Sequence, residues 1–160
     1  MADGPWLGAG EAHVWRSYQR VQRALAGALD HQLERHAGLS GADFALLGPL
    51  AEAVDGVLRM RDLAATVEWD RSRLSHHISR MEKRGLVVRE HCAEDARGAN
   101  VRLTLSGRLA VEAARRPHRE TVRRYFFDQL GADELVVLAG AFDRMLARLI
   151  EDDHEPPCAR

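Results

Sequence analysis

The stretch from Leu63 to Gly85 constrains the fold most. Leu74, Ile78 and Met81 recur at i, i+4 and i+7, which places three apolar side chains on one helical stripe. Asp70 is a favoured N-cap, Lys83 and Arg84 suit the negative C-terminal end of the dipole, and Gly85 supplies a left-handed stop. The spacing therefore predicts a helix over residues 71–84. Just ahead, "RDLAATV" predicts a short helix with Leu63, Ala64 and Val67 inward, separated by only the three residues "EWD". Two helices joined so tightly, the first small and the second basic, form a helix-turn-helix.

The next segments decide what accompanies it. "LVVREH" and "NVRLTL" run apolar or alternate as strands do, and the charged, turn-rich "CAEDARGA" joins them. A β-hairpin directly after a helix-turn-helix is a wing. Upstream, Val14, Tyr18, Val21, Leu25, Leu29 and Leu33 mark a long amphipathic helix from about Glu11 to Arg35, which Gly38 can stop. Ser40 can cap a second helix with Phe44, Leu47, Leu50 and Val54 on one face and a kink or 3₁₀ stretch at Pro49. "DGVLRM" reads as a turn and a very short extended strand. Downstream, Ser106 is expected to cap a helix broken or kinked near Pro117. A last helix starts at Ala132 to Asp133 and carries the stripe Leu135, Leu138, Phe142, Met145, Leu146 and Leu149. The expected class is mainly α (α+β): a winged helix-turn-helix over residues 40–105 with a two-stranded wing, an N-terminal dimerisation helix in 1–39, and C-terminal dimerisation helices with a frayed tail in 106–160.

Charge distribution agrees with a nucleic-acid partner better than the total does. The chain of 160 residues carries a net charge of −1, yet residues 59–108 hold 11 Arg/Lys against 7 Asp/Glu, leaving the flanks acidic. Lys83 is the only lysine, so the arginine excess reflects genome bias as well as function. No apolar run reaches the roughly 18 residues of a membrane span. The first residues lack the basic and apolar regions of a secretion signal, so a cytoplasmic protein with no membrane partner is expected. Cys92 and Cys158 lie far apart with no CxxC spacing, which indicates neither a disulfide framework nor a zinc finger.

Residues Leu63 to Arg108 resemble the winged helix-turn-helix of the MarR family of bacterial transcription regulators. The likeness lies in LA at the start of the first helix, S-R-L-S in the second, R-x-E-x-R-G-L-V at its end, D-x-R in the wing and L-T-x-x-G after it. The resemblance implies a homodimeric, DNA-binding repressor whose first and last helices pair with those of a second copy, and whose operator is pseudo-palindromic. It also implies an effector site where the dimerisation helices meet the DNA-binding lobe; Trp15, Tyr18, Arg59 and Asp62 are the candidates to line it, favouring a small aromatic or anionic ligand. One departure is Glu68, which occupies the turn position where glycine is usual. A positive φ there would be strained.

The polar arc of the basic helix supplies the candidate DNA contacts. Arginine pairs bidentately with guanine, and serine and histidine bond to base edges. Ser72, Arg73, Ser75 and His76 are expected at bases, and Arg71, His77 and Arg80 at phosphates. In the wing, Arg97 is placed for the minor groove with Asp95, as the resemblance implies, orienting it; Arg89 and Arg102 on the strands are further phosphate candidates. The bland alternative is a solvated polar face, against which the hairpin and the small preceding helix weigh.

Other chemistries fare worse. Ser75 and His76 are neighbours on a helix, about 100° apart, so they do not meet as nucleophile and base, and no GxSxG, Walker, GxGxxG or HExxH motif occurs. No enzyme and no cofactor are expected. Asp30, His31, Glu34 and His36, with His118 elsewhere, offer metal-ligand types, but His31 and His36 are five apart, off the chelating i,i+4 face, so no metal is assigned. Cys92 in the wing is a candidate only for redox sensitivity. The alternative reading is a metal- or redox-responsive sensor, or a non-DNA interaction module, on the same fold.

Overall fold

The first two helices are separated by two local devices that the sequence announces. In the computed structural model, which describes residues 7–91 and 99–154, α1 (Ala9–Ala37) ends where Gly38 turns left-handed at φ 61°. α2 (Gly41–Glu52) begins with a reciprocal capping box: the Ser40 hydroxyl accepts from the Asp43 N–H, and the Asp43 carboxylate accepts from the Ser40 N–H.

Pro49, expected to kink its helix or mark a 3₁₀ stretch, and Pro117, expected to break or kink its helix, both lie inside continuous helices. α2 runs through Pro49, and α5 (Leu105–Tyr125) runs through Pro117. A proline inside a helix removes the donor for the carbonyl four residues earlier. Those carbonyls belong to Ala45 and Ala113, both exposed, so water can serve them. The 3₁₀ stretch instead falls at Val54–Gly56, where Asp55 and Gly56 take positive φ of 58° and 69°. Val54, expected on the inner face of α2, lies beyond the helix and is exposed, because the chain leaves helical geometry at Ala53.

β1 (Val57–Arg59), α3 (Met60–Val67), α4 (Arg71–Lys83), β2 (Val87–His91) and β3 (Ala99–Leu103) follow. The sheet is antiparallel with order β1-β3-β2, so the hairpin gains a third strand, with Leu58 opposite Val101 and Arg89 opposite Val101 from the other side. The two-stranded wing expected from sequence is β2 and β3, and β1 joins it to make a three-stranded sheet. The short extended run after the 3₁₀ turn is its edge.

One cluster holds this assembly together. Leu33 of α1, Leu46, Leu47 and Leu50 of α2, Leu63 of α3, Leu74, Ile78 and Met81 of α4, Val87 and Val101 of the sheet, and Val111 and Ala114 of α5 are all essentially inaccessible. At about 25 cal/mol per Å² of apolar area, burying one such leucine stabilises by roughly 2 kcal/mol, so this cluster dominates the fold's stability. The helix-turn-helix is therefore braced by both flanking helices.

Thr104, rather than Ser106, caps α5. Its hydroxyl accepts from the Gly107 N–H at 3.0 Å and lies 2.7 and 2.9 Å from the carbonyl oxygens of Gly85 and Leu86. The close approach of α5 to the residues after α4 makes Gly107 necessary, since a Cβ there would sit 2.1 Å from the Leu86 carbonyl oxygen.

The chain divides into two compact units, Met1–Thr121 and Val122–Arg160. The second contains the end of α5, a 3₁₀ turn over Phe127–Gln129, and α6 (Ala132–His154), whose start is capped by the Glu134 carboxylate accepting from the Gly131 N–H. No described helix is long and apolar enough to cross a membrane.

Candidate nucleic-acid interface

α4 is fixed at its start by Asp70, whose carboxylate accepts from the Arg73 N–H at 2.8 Å. Trp69 N–H donates to the Ala64 carbonyl, and Glu68 takes the left-handed conformation, φ 54° and ψ 37°. The turn thus keeps the backbone that glycine would adopt, although its residue is glutamate.

With Leu74, Ile78 and Met81 buried, α4 exposes Arg71, Ser72, Arg73, His76 and Arg80, while Ser75 is half-buried. No acidic residue lies in the first turn, and among the described residues no carboxylate pairs with Arg71, Arg73 or Arg80. A row of guanidinium, hydroxyl and imidazole groups beside a positive helix end is suited to an anion or to the donor and acceptor edges of bases.

His77 is a correction. Expected on the polar arc as a phosphate contact, it is buried, and its Nε2–H donates to the Asp43 carboxylate at 2.9 Å. The signal is present in the sequence: position 77 is three after Leu74 and four before Met81, on the same inward stripe. Asp43 is inaccessible and also accepts from Arg84 Nη1 at 2.6 Å; Arg84 Nη2 donates to the Gly38 carbonyl. Burial opposes the Asp43 charge, but the Ser40 N–H, Arg84 and His77 outweigh it and hold the carboxyl below its ordinary value.

The two strand arginines, expected as phosphate candidates, also bond within the protein. Arg89 Nη2 donates to the Ser75 carbonyl at 2.6 Å and to Ser79 Oγ at 2.7 Å, lying over the middle of α4. Arg102 makes a two-point ion pair with Glu90 at 2.6 and 2.9 Å. That hydrogen-bonded pair lowers the Glu90 pKa and raises that of Arg102, so both stay charged and their fields largely cancel. Asp95, Arg97 and Cys92 lie outside the described residues.

Trp69, read from the sequence only as part of the three-residue break between the two helices, is a further functional candidate. Its ring packs on the core and carries the Arg73 guanidinium on its face, 4.0 Å from the ring centroid.

Similarity to known proteins bears on this face. Residues 37–98 match the model of the MarR family. The chain is also 35% identical to AbsC, a MarR family transcriptional regulator from Streptomyces coelicolor, over 92% of this chain and 99% of that one, with a TM-score of 0.85. The chain belongs to the MarR family. It is similar to a second family regulator, Sco3205 from Streptomyces coelicolor, solved in complex with DNA: 36% identity, 98% of this chain and 95% of that one, TM-score 0.81. YdgJ of Bacillus subtilis, an uncharacterized HTH-type transcriptional regulator, is 28% identical over 84% of this chain and 78% of its own length. This MarR-family chain is accordingly a transcription regulator and not an enzyme.

In this regulator the effector candidates fall at two places. Trp15 and Tyr18 stack on α1 with ring centroids 5.6 Å apart and are about half exposed, not core. Arg59 and Asp62 flank the start of α3, where Asp62 pairs with Arg61 at 3.2 Å. Of the metal-ligand types, Asp30 accepts from the Gly41 N–H, the His36 ring bonds the Gln32 carbonyl, and His118 stacks against Phe44 at 4.5 Å. Among the described residues no group of three His, Cys, Asp or Glu gathers to hold a metal.

Proposed function

We propose that two copies of this chain form a cytoplasmic homodimer that binds a pseudo-palindromic DNA operator and represses transcription, releasing it when a small aromatic or anionic effector binds. The observation that carries the reading is the face of α4: five polar residues, three of them arginines free of carboxylates among the described residues, on a helix rigidly held from behind by Leu74, His77, Ile78 and Met81. Ser72, Arg73, Ser75 and His76 are assigned to bases, Arg71 and Arg80 to phosphates, and Arg97, oriented by Asp95, to the minor groove. The DNA complex of the similar regulator Sco3205 supports the partner.

Dimerisation is supported by apolar side chains that one copy leaves in water. On α1, Val14, Trp15, Tyr18 and Val21 are exposed; on α6, Val136, Val137, Met145, Leu146, Leu149 and Ile150 are. Large apolar side chains exposed in such number on a helix are what a protein–protein interface covers, which supports these two helices as interface elements. The segments 1–39 and 106–160 are assigned to the dimer and 40–105 to DNA. Trp15 and Tyr18, with Arg59 and Asp62, are the residues proposed for the effector.

Selection of binding sites from random duplex DNA by the full-length protein tests this. The expected product has two inverted half-sites about one helical turn, roughly 34 Å, apart. Its affinity should fall steeply with salt, as neutralised phosphates release counterions. Recovery of no sequence, or of a single unpaired half-site, would contradict the proposal.

A further inference from the structure

Trp69, Arg73 and His77 follow one another at intervals of four, so they form a column running from the turn into the first two turns of α4. The contacts along it are specific. The His77 ring meets the indole edge-on, 5.6 Å between centroids at 82°, and the Arg73 guanidinium lies over the indole face at 4.0 Å. His77 is itself held by Asp43, and Asp43 by Arg84 and the Ser40 N–H. The indole is therefore braced by His77, which the Asp43–Arg84 network holds in place, while an indole face carries the Arg73 guanidinium.

Stacking uses the face of a guanidinium and leaves its N–H donors, which lie in the plane, unspent. Arg102 shows the opposite arrangement, its donor edge taken up by Glu90. Arg73 has no carboxylate on its edge among the described residues. An arginine held over the indole, with no carboxylate on its donors among the described residues, has lost part of its rotamer freedom before binding, which lowers the entropy cost of placing its fork against O6 and N7 of a guanine.

We propose that Trp69 is a positioning residue that holds Arg73 flat and edge-outward, so that the Trp69–Arg73 pair determines specificity for one guanine in each half-site. The inference rests on the DNA reading above. It assigns to a turn residue control over which base is selected.

The test is a double-mutant cycle on the full-length protein, using the operator selected by the wild type and a scrambled duplex of equal length at one salt concentration. W69L keeps apolar bulk without a ring, and W69F keeps a weaker ring. From the worth of a cation–π contact, W69L should lose about five- to tenfold in operator affinity and W69F about two- to threefold, with scrambled-duplex affinity unchanged within about twofold. Neither substitution should cost anything further in an R73A background. Replacing the critical guanine by 7-deazaguanine, which lacks the N7 acceptor, should weaken the wild type but not W69L or R73A. If the W69L loss persists undiminished in R73A, Trp69 supports only the fold, and the proposal is overturned. Should W69L fail to fold, the W69F cycle separates the same two outcomes. If R73A binds the operator as tightly as the wild type, the base-reading role of Arg73 fails instead, and the proposal with it.

Discussion

His77 Nε2 and Asp43 Oδ1 lie 2.9 Å apart, joining α4 to the first turn of α2. Because Asp43 is inaccessible, removing a donor leaves a buried carboxylate short of a partner. His77→Phe should therefore destabilise the protein at pH 7 by about 1–3 kcal/mol, read from urea unfolding. An unchanged midpoint would mean the pair contributes nothing. The sign of its pH dependence follows from the lowered Asp43 pKa: the stabilisation is complete above the ordinary value of 3.8 and is lost as pH falls below that through the folded-state pKa. The gap between wild type and Asp43→Asn should accordingly narrow as the pH is lowered below about 4.

His118 should give acid sensitivity at a higher pH. Burial against Phe44 lowers its pKa from 6.5, and its Nδ1 has no partner among the described residues. The unfolded chain then takes up a proton near pH 6.5 while the folded one does not, so stability falls as pH drops below 6.5 toward the lowered value. His118→Phe should flatten the thermal-midpoint profile in that window. A profile identical to the wild type would contradict the assignment.

The helix-turn-helix is legible in the sequence because its signals are local. Asp70 caps, Gly85 stops, and Leu74, Ile78 and Met81 set the period. Gly38 and Ser40 are legible for the same reason. What sequence does not disclose depends on distant partners. Spacing puts His77 on the inward stripe, but the group that makes its burial tolerable, Asp43, lies 34 residues earlier in the chain and is not legible locally. The partners of Arg89 and Arg102 are not legible because Ser75, Ser79 and Glu90 meet them only across folded elements. Whether Pro49 and Pro117 interrupt their helices depends on how exposed Ala45 and Ala113 are, which is a tertiary property.

Glu68 carries avoidable strain. At φ 54° a side chain crowds its own backbone, and glycine does not. Glu68→Gly should stabilise the lobe by about 1 kcal/mol, seen as a rise in thermal midpoint. A fall would show that the glutamate makes a compensating contact.

Gly107 is the reverse case. A methyl group there would meet the Leu86 carbonyl oxygen at 2.1 Å and Leu103 at 2.8 Å, both within the packed base of the sheet. Gly107→Ala should destabilise by roughly 3 kcal/mol through forced separation of α5 from the segment after α4. Differential scanning calorimetry checks it, and a wild-type midpoint would refute the packing described.

The exposed face of α4 is proposed to read DNA through Arg73. The most direct measurement is a titration of the wild-type selected operator with Arg73→Ala, alongside sedimentation to confirm an unchanged oligomeric state. Loss of a bidentate guanine contact is expected to weaken operator binding by about 1–3 kcal/mol, bringing it toward the affinity for scrambled DNA. Operator affinity equal to that of the wild type, with the same assembly in solution, would contradict that role.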